Sequence, residues 1–108
     1  MNNLVIRKAI GSDLTALIDV ENTCFNNDKL SPRSLKRWLS AKHGILLVAE
    51  NGEQVCGYGL VWCHKGTRLA RLYSLAVLPT MQGKGIAKAL LISLEKETYE
   101  RARLYLRF

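Results

Sequence analysis

The sequence predicts a mixed α/β (α+β) fold, with a mostly antiparallel central sheet flanked by helices in the order β-α-α-β-β-β-α-β. Three observations lead there. Asn51-Gly52 separates two apolar runs and is a strong signal for a tight hairpin. Ser31-Pro32, ahead of Leu35, Trp38 and Leu39, reads as an N-cap and first helical residue followed by an apolar stripe. An apolar run that stops at Pro79 feeds through Gln82-Gly83-Lys84-Gly85 into apolar residues at helical spacing.

Each element has its own local reason. Leu4 to Arg7 is a short β-branched run. Ser12 is a candidate cap for a helix whose stripe is Leu14, Leu17, Ile18 and Phe25, interrupted by Glu21. Asn26-Asn27-Asp28 breaks that pattern, and the helix opened by Ser31 is expected to end near Gly44. Ile45 to Ala49 and Val55 to Cys63 are the two arms of the hairpin, Lys65-Gly66 marks a further turn, and Leu69 to Val77 forms the next strand. From Gly85 onward Ile86, Ala87, Leu90, Leu91 and Leu94 share one helical face, with Glu97 and Arg101 spaced to pair on the exposed side. Arg103 to Phe108 returns to a strand.

With 108 residues and 48% hydrophobic content, the chain is expected to form one domain spanning 1–108. No stretch approaches a membrane span, and MNNLVIRK lacks the basic-then-apolar order of a signal peptide, so the expected location is the cytoplasm. Cys24, Cys56 and Cys63 have no metal-ligand or disulfide spacing and read as core fillers, so no metal is expected. A net charge of +7 favours an anionic partner. The bases are spread along the chain without a dense basic face or stacking aromatics, which ranks a nucleic-acid surface last. Trp38 and Trp62 are read as core.

The glycine segment carries the chemistry. A strand entering a helix through Gln82-Gly83-Lys84-Gly85 leaves backbone N–H groups without intrahelical partners, and Lys84 and Lys88 add positive charge beside them. A pyrophosphate suits such a place. The P-loop pattern is absent, and the dinucleotide fingerprint fails where Lys88 stands.

The run from Tyr73 to Pro79, continued by Gln82 to Ala87 and Ala89 to Leu91, resembles the acetyl-CoA-binding motif of the GCN5-related N-acetyltransferases. Gln82, Gly85 and Ala87 satisfy that family's Q/R-x-x-G-x-G/A pattern in register. The likeness covers nearly the whole chain and is close to the bacterial peptide and ribosomal-protein N-terminal acetyltransferases. It implies the acyl-CoA N-acyltransferase fold and transfer of acetyl from acetyl-CoA to a primary amine, either a small molecule or a protein N-terminus, by direct attack. It implies pyrophosphate binding by the amides of Gln82, Gly83, Lys84, Gly85, Ile86 and Ala87, supported by the side chains of Gln82, Lys84 and Lys88. Along Leu75, Ala76 and Val77 it implies a bulged fourth strand, splayed from the fifth, whose edge takes the pantetheine arm.

The sequence departs from this family at its end. The helix and final strands that commonly follow the fifth strand are missing, so the domain reads as C-terminally truncated, and Arg107 occupies the seat where a basic Glu often stands. A second copy of the chain covering the exposed last strand is a further expectation. Tyr73 is the candidate catalytic residue, on the argument that it shares a strand face with Leu75; its plainer reading is a half-buried sheet aromatic. His64 reads as a strand end and Glu21 as a rim carboxylate. The alternatives to a working transferase are an acyl-CoA-binding module without catalysis and a basic nucleic-acid-associated protein.

Overall fold

The computed structural model describes residues 3–63, 69–102 and 105–107. Its elements are β1 (Leu4–Lys8), a 3-10 turn (Gly11–Asp13), α1 (Leu14–Cys24), α2 (Pro32–Leu39), β2 (Gly44–Asn51), β3 (Gln54–Cys63), β4 (Leu69–Val77), a second 3-10 turn (Pro79–Met81), α3 (Ile86–Ala102) and β5 (Tyr105–Arg107). The predicted order of strands and helices holds. They build a five-stranded sheet in chain order, antiparallel from β1 to β4 and parallel between β4 and β5. The parallel step follows from the crossover through α3, since a hairpin can join only antiparallel neighbours.

The sheet is covered on both faces, and β2 shows why its sequence is apolar throughout. Ile45, Leu47 and Ala49 pack with Ile86, Leu90 and Leu94 of α3. Leu46 and Val48 point the other way, to Leu17 and Val20 of α1 and Leu35 of α2. Gly59 of β3 faces α3 so closely that a Cβ there would lie 2.5 Å from Leu94 Cδ1. The hairpin at Asn51-Gly52 forms as read, with Gly52 at φ 66°. Ser31 caps α2, its Oγ accepting from Ser34 N–H at 3.1 Å.

Several local expectations are corrected. Ser12 does not cap α1: it sits inside the first 3-10 turn, and the nearby Ile10 N–H donates to Asp13 Oδ2 at 2.8 Å. Asp13 also receives both terminal nitrogens of Arg7, at 2.8 and 2.9 Å, which ties the turn to β1. That hydrogen-bonded guanidinium holds the Asp13 carboxyl below its ordinary value, against the opposing effect of burial. The second helix ends at Leu39, and Gly44 opens β2 instead. Arg101 donates to the carbonyls of Gly44 and Lys42, at 3.0 and 2.9 Å, where a Glu97 pair was expected. Long-range carbonyls at a strand start offer it fixed partners. Trp62 is 39% exposed and therefore not core; its ring meets Trp38 edge-on, with centroids 6.4 Å apart. Cys56 and Cys63 are buried and Cys24 half-buried, all as free thiols.

Among the described residues, no helix is long and apolar enough to cross a membrane. The expected turn at Lys65-Gly66 and the reading of His64 lie outside the described residues.

Candidate functional site

The first part of the site is the entry to α3. Gly83 and Gly85 have φ of 79° and 81°, values that an L side chain resists. A Cβ built on either glycine would meet nothing within 4 Å, so their outer side is open. Ala89 N–H bonds back to the Gly85 carbonyl at 3.0 Å, which leaves the N–H groups of Ile86, Ala87 and Lys88 without intrahelical partners. They border a cavity of about 190 Å³ lined by Val77, Met81, Gln82, Gly83, Gly85, Ile86, Ala87 and Lys88. The Lys84 side chain is exposed at its rim. A concave, open nest of amides at the positive end of a helix beside lysines fits a pyrophosphate. Gln82 differs in detail from its expected part, because its Nε2 donates to the Val77 carbonyl at 3.0 Å and so braces the loop on β4.

The second part is the edge of β4 turned away from β3, from Leu75 to Val77. Leu78 N–H donates to Cys56 O at 2.8 Å, so the even-numbered residues of this stretch bond to β3. Leu75 and Val77 then direct their N–H and C=O groups away from β3. Among the described residues β5 pairs with β4 from Leu69 to Arg71. The Val77 carbonyl is already engaged, by Gln82 and by Cys24 Sγ at 3.4 Å. Between these segments β4 bulges: Leu60 faces Ser74 while Val61 faces Leu72, and Tyr73 is the extra residue. The bulge overturns the argument that Tyr73 shares a face with Leu75. Leu72 and Leu75 pack with the α3 core, whereas the Tyr73 ring lies 5.3 Å from that of Trp38 on α2. Tyr73 remains beside the opening, 49% exposed, and lines cavities to either side.

Sequence reasoning missed the third part. Glu21 is only 2% exposed and is no rim carboxylate. Its Oε2 accepts the Leu30 N–H at 2.6 Å, and its Oε1 accepts the Tyr58 hydroxyl at 2.5 Å. Tyr58 Oη in turn lies 2.7 Å from Ser74 Oγ. Burial, and then the bond to Glu21, push the Tyr58 phenol well above its usual value, with Ser74 pulling the other way. A cavity of about 420 Å³ opens here, lined by Glu21, Phe25, Asp28, Leu30, Tyr73, Ser74 and Leu75. The only hint in the sequence was a carboxylate interrupting an apolar stripe, because the partners stand 37 and 16 residues apart along the chain.

Arg107 pairs in register with Arg71 at the closed end of the β4 and β5 pair, and its side chain lies outside the described residues. Among the described residues no cluster of His, Cys, Asp and Glu could hold a metal ion.

A mixed sheet whose bulged fourth strand runs into a glycine-led helix, followed by a parallel fifth strand, is the architecture of the acyl-CoA N-acyltransferase folds. The family model described as an acetyltransferase (GNAT) domain matches residues 42–108, and the chain belongs to this family. Solved structures agree on the fold. The ribosomal-protein-S18-alanine N-acetyltransferase of Escherichia coli is 19% identical with a TM-score of 0.79, over 91% of this chain and 61% of that one. The paia N-acetyltransferase of Thermoplasma acidophilum, solved in complex with coenzyme A, is 22% identical with a TM-score of 0.81, over 91% and 73%. The ribosomal-protein-alanine N-acetyltransferase of Brucella melitensis is 28% identical with a TM-score of 0.74, over 90% and 68%. The chain thus spans about three fifths of the length of the Escherichia coli protein. The comparison with curated proteins gives no match.

Proposed function

We propose that this chain is an acetyl-CoA-dependent N-acetyltransferase acting on a primary amine, with a protein N-terminus as the acceptor. The observation that carries the reading is the continuity of the β4 edge turned away from β3, from Leu75 to Val77, with the amide nest before α3. The amides of Gly83, Lys84, Gly85, Ile86, Ala87 and Lys88 hold the pyrophosphate, with the lysine side chains of Lys84 and Lys88 beside it and Gln82 fixing the loop. Leu75, Ala76 and Val77 give the edge along which the pantetheine arm lies, and the Leu75 N–H is the candidate donor to the acyl oxygen. Bound acetyl-CoA supplies an acetyl group activated as a thioester. Tyr73, exposed at the opening, is the candidate proton donor to the leaving thiol.

The acceptor enters from the far side of the bulge, where Asp28 borders the larger cavity and suits an ammonium group. Two of the similar structures are alanine N-acetyltransferases of ribosomal proteins, which supports a protein N-terminus over a small amine.

Calorimetric titration with CoA and acetyl-CoA tests the reading, in the wild type and in Gly85→Glu. The variant places a carboxylate in the anion nest, and affinity is expected to fall by ~100-fold or more. A wild type that binds neither compound overturns the proposal. Binding without transfer to any amine identifies an acyl-CoA-binding module instead.

A further inference from the structure

The proposed reaction needs a base for the acceptor ammonium. We infer that Ser74, Tyr58 and Glu21 form a proton relay, with Ser74 as the catalytic residue that touches the acceptor amine. The inference rests on the acetyltransferase reading for its substrate and on this chain's own geometry for its path.

Ser74 is half-buried, lines the proposed acceptor cavity and follows the bulge residue, next to Leu75. Behind it lie Tyr58 Oη at 2.7 Å and then Glu21 Oε1, 2.5 Å from Oη. Tyr58 is fully buried, and its hydroxyl touches Ser74 Oγ, which lines the cavity. Glu21 Oε1 can only accept as a carboxylate, which orients Tyr58 as donor to Glu21 and Ser74 as donor to Tyr58. The Ser74 lone pairs are then turned to the cavity. An ammonium there gives a proton to Ser74 Oγ, Ser74 gives its own to Tyr58 Oη, and Tyr58 gives its own to Glu21 Oε1. The amine is left neutral and nucleophilic, Glu21 holds the proton, and Ser74 and Tyr58 are unchanged. Reversal of the path returns the proton to water and resets Glu21. No charge is placed on the buried phenol at either end of the step, which accords with its strong resistance to ionisation.

A purely structural network would bury Glu21 and Tyr58 equally well but would not need a cavity-lining hydroxyl at its end. Ser74→Ala separates the two, because it leaves the Glu21 contacts with Tyr58 and Leu30 in place. The first readout needs neither cofactor nor acceptor. In cofactor-free protein carrying isotope-labelled tyrosine, solvent exchange of the Tyr58 hydroxyl is followed by NMR. It is expected to slow by about tenfold or more in Ser74→Ala and to recover in Ser74→Thr. The second readout is kcat with an alanine-initiated peptide. In Ser74→Ala, kcat is expected to fall by ~10²-fold at neutral pH with KM for acetyl-CoA unchanged, and to recover as pH approaches that of the free amine. Cys24, Asp28 and Tyr73 are the other titratable groups near the relay and are retained in both variants. Unchanged hydroxyl exchange overturns the relay, whatever the peptide result. Failure of the wild type to bind acetyl-CoA overturns the acetyltransferase reading separately, and leaves the exchange path without a reaction to serve.

Discussion

Two regions meet on β4 and are made in opposite ways. The loop before α3 is a continuous stretch, Gln82 to Lys88, whose proposed function rests on backbone conformation and exposed amides. The chain from Glu21 through Tyr58 to Ser74 draws one residue from each of α1, β3 and β4, all polar and two of them fully withdrawn from water. The loop is open and conformationally costly, since two of its residues sit at positive φ. The chain is closed and chemically costly, because each buried polar atom must have its partner. A binding element can therefore be local, whereas a buried proton path depends on the whole sheet.

Breaking the buried chain is expected to have the largest effect. Glu21→Ala leaves Leu30 N–H and the Tyr58 hydroxyl without their acceptor and should cost about 3–5 kcal/mol of folding stability, read from denaturant melts. A cost below that of an ordinary surface change would mean that water replaces the carboxylate and the region is not closed. In the loop, Gly85→Ala should cost only about 1–2 kcal/mol, because φ of 81° opposes a side chain while the space around it is free. Stabilisation by this change would show that the glycine is not held at positive φ in solution.

The Arg7 and Asp13 pair gives a test of similar size that depends on pH, at a partly open polar contact. The folded carboxyl is held below its ordinary value of 3.8, so its contribution is complete above that pH and is lost as pH falls through the depressed folded value. Asp13→Asn is expected to remove about 1–2 kcal/mol at neutral pH and to flatten the acid limb of the stability curve below pH ~4. An acid limb identical in both proteins would assign that slope to other carboxylates. Smallest is Ser31→Ala, which deletes a single cap bond on exposed α2 and should cost about 1 kcal/mol in thermal melts.

The residues that could be read locally were those whose roles are set within a few positions. Ser31-Pro32 marked α2, Asn51-Gly52 marked the hairpin, and Gly83 and Gly85 marked the turn that leads into α3. Trp62 looked like core because its composition is apolar, yet its burial depends on which side of an outer stretch of β3 is covered. Ser12 looked like a cap because its chemistry suits one, but Arg7 drew Asp13 into the turn instead. Tyr73 was assigned a face by counting in twos, a rule that holds only until a strand gains an extra residue.

The sequence by itself determined the order of elements, the two-faced apolar sheet and the glycine-led helix entry, because hydrophobic period, capping and turn chemistry act over short stretches. Only the tertiary structure decided that the bulge in β4 falls at Tyr73 and that Glu21 is buried on Tyr58. These depend on pairing register and on contacts between residues far apart in the chain, where a shift of one position exchanges the faces of a strand and no local pattern records the choice.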